Sequence, residues 1–328
     1  VCVDLPVVNT PRVFPAGYLK KNKTSSAMFT IIQRKKLTSS VTTLEVFTPR
    51  IAAAILPGQY VSVKATPKSP LLVLPVCGWN VEKGSIILLV EAIDNPGRQL
   101  ANNGEISILH ELNGPLGKPS ELTLCNDREL INSRLLFVAD GIGAAIALSQ
   151  MKWLAAIGCK ADILVSATKK DEMLFSSELE RVCDHIYIAT EDGSLGFHGP
   201  EAQLLEMLLN KEEKPYDLII ATGPLPMMKA VSNTAKGHGI PVTANLTPQL
   251  CENDCQHGAF KVSADGKLKN VATEGPEFLA LSLDFEQALS ALRMNLHVSA
   301  QQAVLDEEDA KILNLTDKPD KSYAKKQA

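Results

Sequence analysis

From about Ser133 onward the sequence alternates between two kinds of segment, and that alternation restricts the fold more than any other feature. "RLLFVAD", "KADILVSAT", "HIYIATED" and "YDLIIATG" are short, nearly unbroken apolar runs, while "AAIALSQMKWLAAIG", "MLFSSELERVC" and "PEAQLLEMLLN" between them have helical spacing. A strand apolar along its whole length has no face to give to water, so both of its sides must be covered. Strands of that kind separated by helices predict a doubly wound parallel sheet. A further helix, "PMMKAVSNTAKGHG", leads into "PVTANL" as the last strand.

The stretch ahead of it reads differently. From Met28 to about Leu124, the β-rich runs "MFTIIQRKKL", "VTTLEVFTP", "YVSVKA", "SIILLVEAI" and "EISILHEL" are divided by the turn signals "LPGQ", "EKG", "NPG" and "NNGE". Short strands at this spacing, without long helices, predict a small antiparallel barrel. The fold class is therefore all-β plus α/β. We place an extended arm at 1–26, the barrel at 27–130, the α/β domain at 131–245, and a small turn-rich appendage at 246–280. Residues 281–328 read as a helix followed by a charged tail that orders against a partner. A chain of 328 residues has room for this division, because a single hydrophobic core rarely grows past ~250 residues.

Composition excludes some classes of function. A net charge of −4 leaves no basic footprint for nucleic acid or anionic lipid. No apolar run reaches the ~18 residues that a membrane span needs, so a soluble protein is expected. Seven cysteines are an odd and scattered set, which fits a reducing compartment, cytoplasm or organelle matrix. The sequence begins at Val1 without a signal peptide, as a fragment or a processed chain would.

Three turns carry the candidate chemistry. "ADGIGAA" follows a buried strand and opens a helix, where glycines let backbone N–H groups approach a phosphate. A tight turn without a ligand is the plainer alternative, and a carboxylate at Asp140 would repel a diphosphate. "TEDGSLGFHG" and "TGPLPMM" follow later strands, at the edge where open α/β sheets bind ligands; simple turn punctuation is again the alternative. His198 in the first of these reads as a phosphate contact or a solvated loop residue. His185 and His238 show no acid–base partner at a diagnostic spacing. In "CENDCQHGAFKV", Cys251, Cys255 and His257 are weak metal candidates that lack a full closed ligand set.

The order of "LPGQYVSV", "NGPLGKP", "ADGIGAAIA", "ATEDGSLGFHG", "YDLIIATGPLPMMKAV" and "EGPEF" resembles the ferredoxin–NADP reductase superfamily over about residues 27–290. Within it, the chain looks most like the small subunits of NADH-dependent ferredoxin:NADP oxidoreductases, also called sulfide dehydrogenase beta subunits. The resemblance implies a barrel that holds FAD, an α/β domain that binds NAD(P)(H), and hydride transfer between them. It also implies a [2Fe–2S] appendage and partners that are the other subunits of an oxidoreductase.

Position by position, the implied sites differ. For the nucleotide, Gly141 and Gly143, then Asp192, Gly193 and Ser194, then Gly223, Pro224 and Met227 match the superfamily's segments, although Ala139 and Asp140 replace two glycines. Lys169 and Lys170 fall where an arginine often recognises the adenosine ribose or phosphate. For FAD, the arginine-and-hydroxyl signature aligns with Leu74, Pro75, Val76 and Cys77, which lack the guanidinium that would pair with phosphate. The next flavin segment is shortened around Gly97 and Arg98, while Gly114 and Gly117 persist. For the cluster, the implied ligand positions fall on Glu252, His257, Phe260 and Ala272, so no conventional [2Fe–2S] centre is expected. Two readings follow: an electron-transfer subunit, or a non-catalytic structural or assembly subunit that kept the reductase fold.

Overall fold

The computed structural model describes residues 29–92, 94–102, 104, 106–211, 214–252 and 260–293. Among these, the first domain contains β1 (Phe29–Lys36), β2 (Val41–Phe47), β3 (Tyr60–Lys64), β4 (Leu72–Asn80), β5 (Ser85–Glu91), β6 (Ile108–Leu109) and β7 (Glu111–Leu116). They pair antiparallel in the order β6-β1-β2-β5-β4-β3-β7. The two end strands are neighbours in the chain, so the sheet curls nearly closed, which is the small barrel expected. Its interior is filled by Leu44, Val46, Val61, Val63, Leu74, Val76, Ile86 and Leu88, the inward-pointing alternates of their strands.

Two helices interrupt the barrel, α1 (Pro49–Ala52) and α2 (Asn95–Asn102). The second is built from the shortened "NPGRQL" segment, and Asp94 Oδ1 accepts the Gly97 N–H at 2.7 Å. Helix α3 (Asp127–Asn132) then links the domains through a capping box between Asn126 and Glu129.

The second domain runs β8 (Leu135–Asp140), α4 (Gly143–Ala156), β9 (Ala161–Ala167), α5 (Ser176–Glu180), β10 (Cys183–Thr190), β11 (Phe197–His198), α6 (Glu201–Leu209), β12 (Leu218–Thr222), α7 (Leu225–Gly237) and β13 (Val242–Asn245). These strands pair parallel, as the apolar runs predict. Alternate side chains divide between two cores: Leu136, Val138, Leu164 and Ile219 pack beneath α6 and α7, while Leu135, Phe137, Ile163 and Ile220 pack beneath α4. Helix α5 is shorter than the sequence suggests, because Phe175 at φ 57 is left-handed and the helix starts only after it.

Beyond β13 come α8 (Thr247–Glu252), the hairpin β14 (Lys261–Ala264) and β15 (Lys267–Asn270), α9 (Val271–Glu274) and β16 (Glu277–Leu279). Strand β16 lies within the segment expected as the appendage, yet it pairs antiparallel with β13 and completes the order β11-β10-β9-β8-β12-β13-β16. Residues 285–293 are helical. Among the described residues no helix is long and apolar enough to cross a membrane.

Candidate functional site

Strand order in the parallel sheet reverses between β8 and β12. Ligands of open α/β sheets bind in the crevice outside the carboxyl ends of the strands at such a switch point. Gly141 and Gly143 follow β8 there, and Gly223 follows β12. The Gly141 φ of 55 is left-handed, and a Cβ on it would meet nothing within 4 Å. Gly143 does a different job: a Cβ there would overlap the Thr222 carbonyl, so glycine lets α4 start against the end of β12. Gly223 is buried beneath the Met227 methyl, its carbonyl accepts from Gln249 Nε2 at 2.9 Å, and the exposed Pro224 caps α7.

The third turn braces itself. Asp192 Oδ1 accepts from the Ser194 N–H at 2.9 Å and from its hydroxyl at 2.6 Å, which holds the exposed Asp192 carboxyl below the usual carboxylate range. Gly193 lies against the His198 ring, and Ser194 Oγ accepts the Lys170 N–H at 2.8 Å. Lys169 pairs with Glu172 at 3.3 Å.

Local patterns do not announce the most unusual group at this edge. Asp140 is only partly exposed and accepts from the Ser166 hydroxyl at 3.0 Å. Burial first, then the nearby Glu201 and Glu191, push its carboxyl up to about 6 against the Ser166 hydrogen bond. Burial first, then the nearby Glu191, raises Glu201 too.

A second buried polar cluster lies along the same edge. Thr222, Asn245 and Glu277 are in register across β12, β13 and β16. Glu277 accepts from Gln150 Nε2, from Asn245 Nδ2 at 3.1 Å and from the Glu121 N–H at 3.3 Å. Burial raises its carboxyl nevertheless. Gln150 Oε1, Thr222 Oγ1 and Thr247 Oγ1 are buried without a hydrogen-bond partner among the described residues. Each such atom costs ~1–3 kcal/mol unless water or a ligand serves it, so this edge has polar capacity to spare. Sequence reading missed these residues because the partners come from strands distant in the chain.

The flavin positions give another picture. Along β4, Leu74 and Val76 point into the barrel, while Val73 and Cys77 point out into the two cores of the α/β domain. Leu74, Pro75, Val76 and Cys77 are all buried, and α4 and α8 pack on this strand. Lys152 Nζ lies 3.4 Å from where a Gly78 Cβ would stand. Burial pushes the Cys77 thiol up to about 12. A cleft of about 130 Å³ lined by Cys77, Lys152, Glu45 and Glu178 remains at this junction, below the ~300 Å³ at which ligand pockets begin. The strand has no guanidinium, no hydroxyl and no open face, so these residues do not fit an isoalloxazine held against β4.

Elsewhere on the barrel, a groove of about 310 Å³ runs between Lys68, Ser69 and Pro70 and the first turn of α2. Gly97 sits in that turn against the Glu91 carbonyl, and Arg98 is exposed beside it. Gly114 packs on Val61. Gly117, at φ 74, packs between the Tyr60 ring and Pro276, where the Tyr60 hydroxyl donates to the Ala272 carbonyl at 3.1 Å.

In the appendage, Cys251 is half-buried and packs against both α/β cores, whereas Cys255 and His257 lie outside the described residues. Phe260 is buried with Val262 and Val271, and Ala272 packs beside them. Two of the four positions implied for a [2Fe–2S] cluster thus carry no ligating atom, and a cluster held in the superfamily manner does not fit. His185 and His238 do have acidic neighbours, Asp162 at 3.0 Å and Glu206 at 3.3 Å. Both pairings are long-range, which is why spacing did not reveal them.

No family model matches the chain. It is 31% identical over 262 residues to an uncharacterised Clostridium beijerinckii protein from the adh 3′ region, covering 80% of this chain and 88% of that one. It is 26% identical to the dihydroorotate dehydrogenase B (NAD(+)) electron transfer subunit homologue of Thermotoga maritima, covering 81% and 91%. A solved structure of the NADH-dependent reduced ferredoxin-NADP oxidoreductase superposes with a TM-score of 0.72 at 25% identity, covering 86% of this chain and 100% of that one.

Proposed function

This chain belongs to the ferredoxin–NADP reductase superfamily, and we propose that it fills the place of the electron-transfer subunit in a multisubunit oxidoreductase, taking a pyridine nucleotide at the switch point of its α/β sheet. The observation that carries this reading is the strand-order reversal between β8 and β12, flanked by the Gly141 and Gly223 turns, with polar atoms of Gln150 and Thr222 buried along the same edge without a partner among the described residues. There the Gly141–Gly143 backbone and the start of α4 would take the diphosphate. The Asp192–Ser194 turn and Lys169 or Lys170 would face the adenosine end. Gly223, Pro224 and Met227 would border the nicotinamide.

When bound, FAD supplies the superfamily with a hydride acceptor and a source of single electrons. In this chain the outward face of β4 is covered by the α/β domain and does not fit the ring. That same covered strand favours a second reading, a subunit that keeps the reductase fold for assembly and carries no redox centre.

Titration of the purified protein with NADH and NADPH, followed by nucleotide fluorescence, tests the first reading. It predicts saturable binding that Gly223→Val abolishes. No saturation with either nucleotide would leave only the assembly role.

A further inference from the structure

Asp162 is a carboxylate buried near the start of β9, at the end of the parallel sheet opposite the glycine turns. Its side chain is only 8% exposed, in a strand that is otherwise a run of buried, mostly apolar residues. Both of its oxygens are held. The Tyr216 hydroxyl donates to Oδ2 at 2.7 Å, and the His185 N–H donates to Oδ1 at 3.0 Å. His185 Nδ1 stands 3.0 Å from the same Oδ1. None of these donors is a permanent cation, and a buried carboxylate is costly unless its charge is met.

The neighbouring strand is irregular at this level. Cys183 of β10 pairs with Ala161 and Ile186 pairs with Ile163, so two residues, Asp184 and His185, stand opposite the single Asp162. In a regular strand consecutive side chains point to opposite faces, whereas an extra residue re-aims one of them. Here Asp184 Oδ2 comes to 3.9 Å from His185 Nδ1. One imidazole nitrogen and two carboxylate oxygens thus lie within 4.8 Å of one another, and among the described residues no other trio of such groups does. The three residues that meet are the three that make the irregularity.

We propose that Asp162, Asp184 and His185 form a binding site for a divalent transition metal of the zinc type, which clips β9 to β10 at the edge away from the nucleotide crevice. Bonds of ~2.0–2.2 Å to a tetrahedral zinc ion put neighbouring donor atoms about 3.4 Å apart. The two separations measured from His185 Nδ1, 3.0 and 3.9 Å, straddle that value, so a small rotation of the exposed Asp184 completes the set. A carboxylate can only accept, so without metal the imidazole hydrogen sits on Nδ1, between nitrogen and Asp162. The metal takes the place of that hydrogen, which moves to Nε2. The side chains of Asp184 and His185 are 61% and 65% exposed, so water can fill the fourth position. A nitrogen-and-oxygen donor set of this size suits zinc better than calcium or magnesium, which take six or more oxygens. Tyr216 supplies the outer support that metal-binding carboxylates need: its hydroxyl fixes Asp162, and the Arg134 guanidinium lies 4.5 Å from its ring centroid.

Calorimetric titration of the chelator-treated, dialysed full chain with Zn2+ alone reads this directly. Wild-type protein should bind Zn2+ saturably, and the ion should raise its melting temperature. His185→Ala should bind at least about tenfold more weakly, and so should Asp184→Asn, which alters an exposed side chain and leaves the fold intact. Tyr216→Phe, which keeps all three ligands and removes only the hydroxyl behind Asp162, should weaken binding by about 10–100-fold. A Cys251→Ser, Cys255→Ser double variant should bind as the wild type does. No saturable binding by the wild type overturns the site. Binding that survives both His185→Ala and Asp184→Asn overturns it as well, and loss of the ion in the cysteine variant would assign the metal to the appendage instead. None of these outcomes bears on the nucleotide reading.

Discussion

The outward face of β4 and the carboxyl edge of the α/β sheet are both places where this architecture can hold a ligand, and they have been finished in opposite ways. On β4, Val73 and Cys77 run into the cores of the neighbouring domain, and the strand is covered by α4 and α8. At the sheet edge, glycine turns flank a strand-order reversal, and Gln150, Thr222 and Thr247 keep polar atoms buried without partners among the described residues. Dry apolar contact resists change because every removed atom leaves a gap. A polar edge with spare hydrogen-bonding capacity is marginal by itself and gains from a ligand. The lesson is that one chain can close one face with apolar packing between domains and leave another edge with buried polar atoms to spare.

Substitutions should separate the two regions, beginning with the largest effect. Restoring an arginine by Leu74→Arg should not create a phosphate site, because Leu74 points into the barrel core. An unpaired guanidinium buried there should destabilise the protein by about 3–5 kcal/mol in urea denaturation. A flavin-binding, stable Leu74→Arg protein would break the contrast. Next, Gly143→Ala places a Cβ against the Thr222 carbonyl, and a clash with backbone should lower stability by about 3 kcal/mol in the same assay.

Asp140 gives a smaller effect with a defined sign. Its folded pKa is raised from 3.8 to about 6, so the native state holds this proton more tightly than the unfolded chain does. Its contribution is therefore fully present below 3.8 and is lost as pH rises through about 6. Asp140→Asn should remove that decline and stabilise the protein by roughly 1–2 kcal/mol at neutral pH relative to wild type, measured by urea denaturation across pH. Smallest of all, Lys35→Ala breaks an exposed ion pair to Glu178 that bridges the barrel and α5 at 3.5 Å. A change within about 0.5 kcal/mol is expected. A larger one would mean that charge, and not apolar packing, holds the seam.

Much of the architecture was legible because it follows from periodicity. Continuous apolar runs such as "RLLFVAD" and "YDLIIATG" can only be strands covered on both faces, and the glycine turns after them mark the ligand edge. Strand β16 was not legible: its three residues, Glu277–Leu279, carry no period and pair only because β13 leaves an edge free. Nor was the bond between Asp140 and Ser166, which stand at the ends of neighbouring strands that only the wound topology brings together. The state of β4 was half legible. The missing guanidinium at Leu74 could be read from sequence, but the burial of Val73 and Cys77 in the adjoining domain could not.

The visible absorption spectrum of the purified protein tests the closed face of β4 most directly. The packing described here predicts no stoichiometric flavin band, before or after incubation with excess FAD and gel filtration. A stoichiometric flavin that survives filtration and is bleached by NADH or NADPH would contradict it.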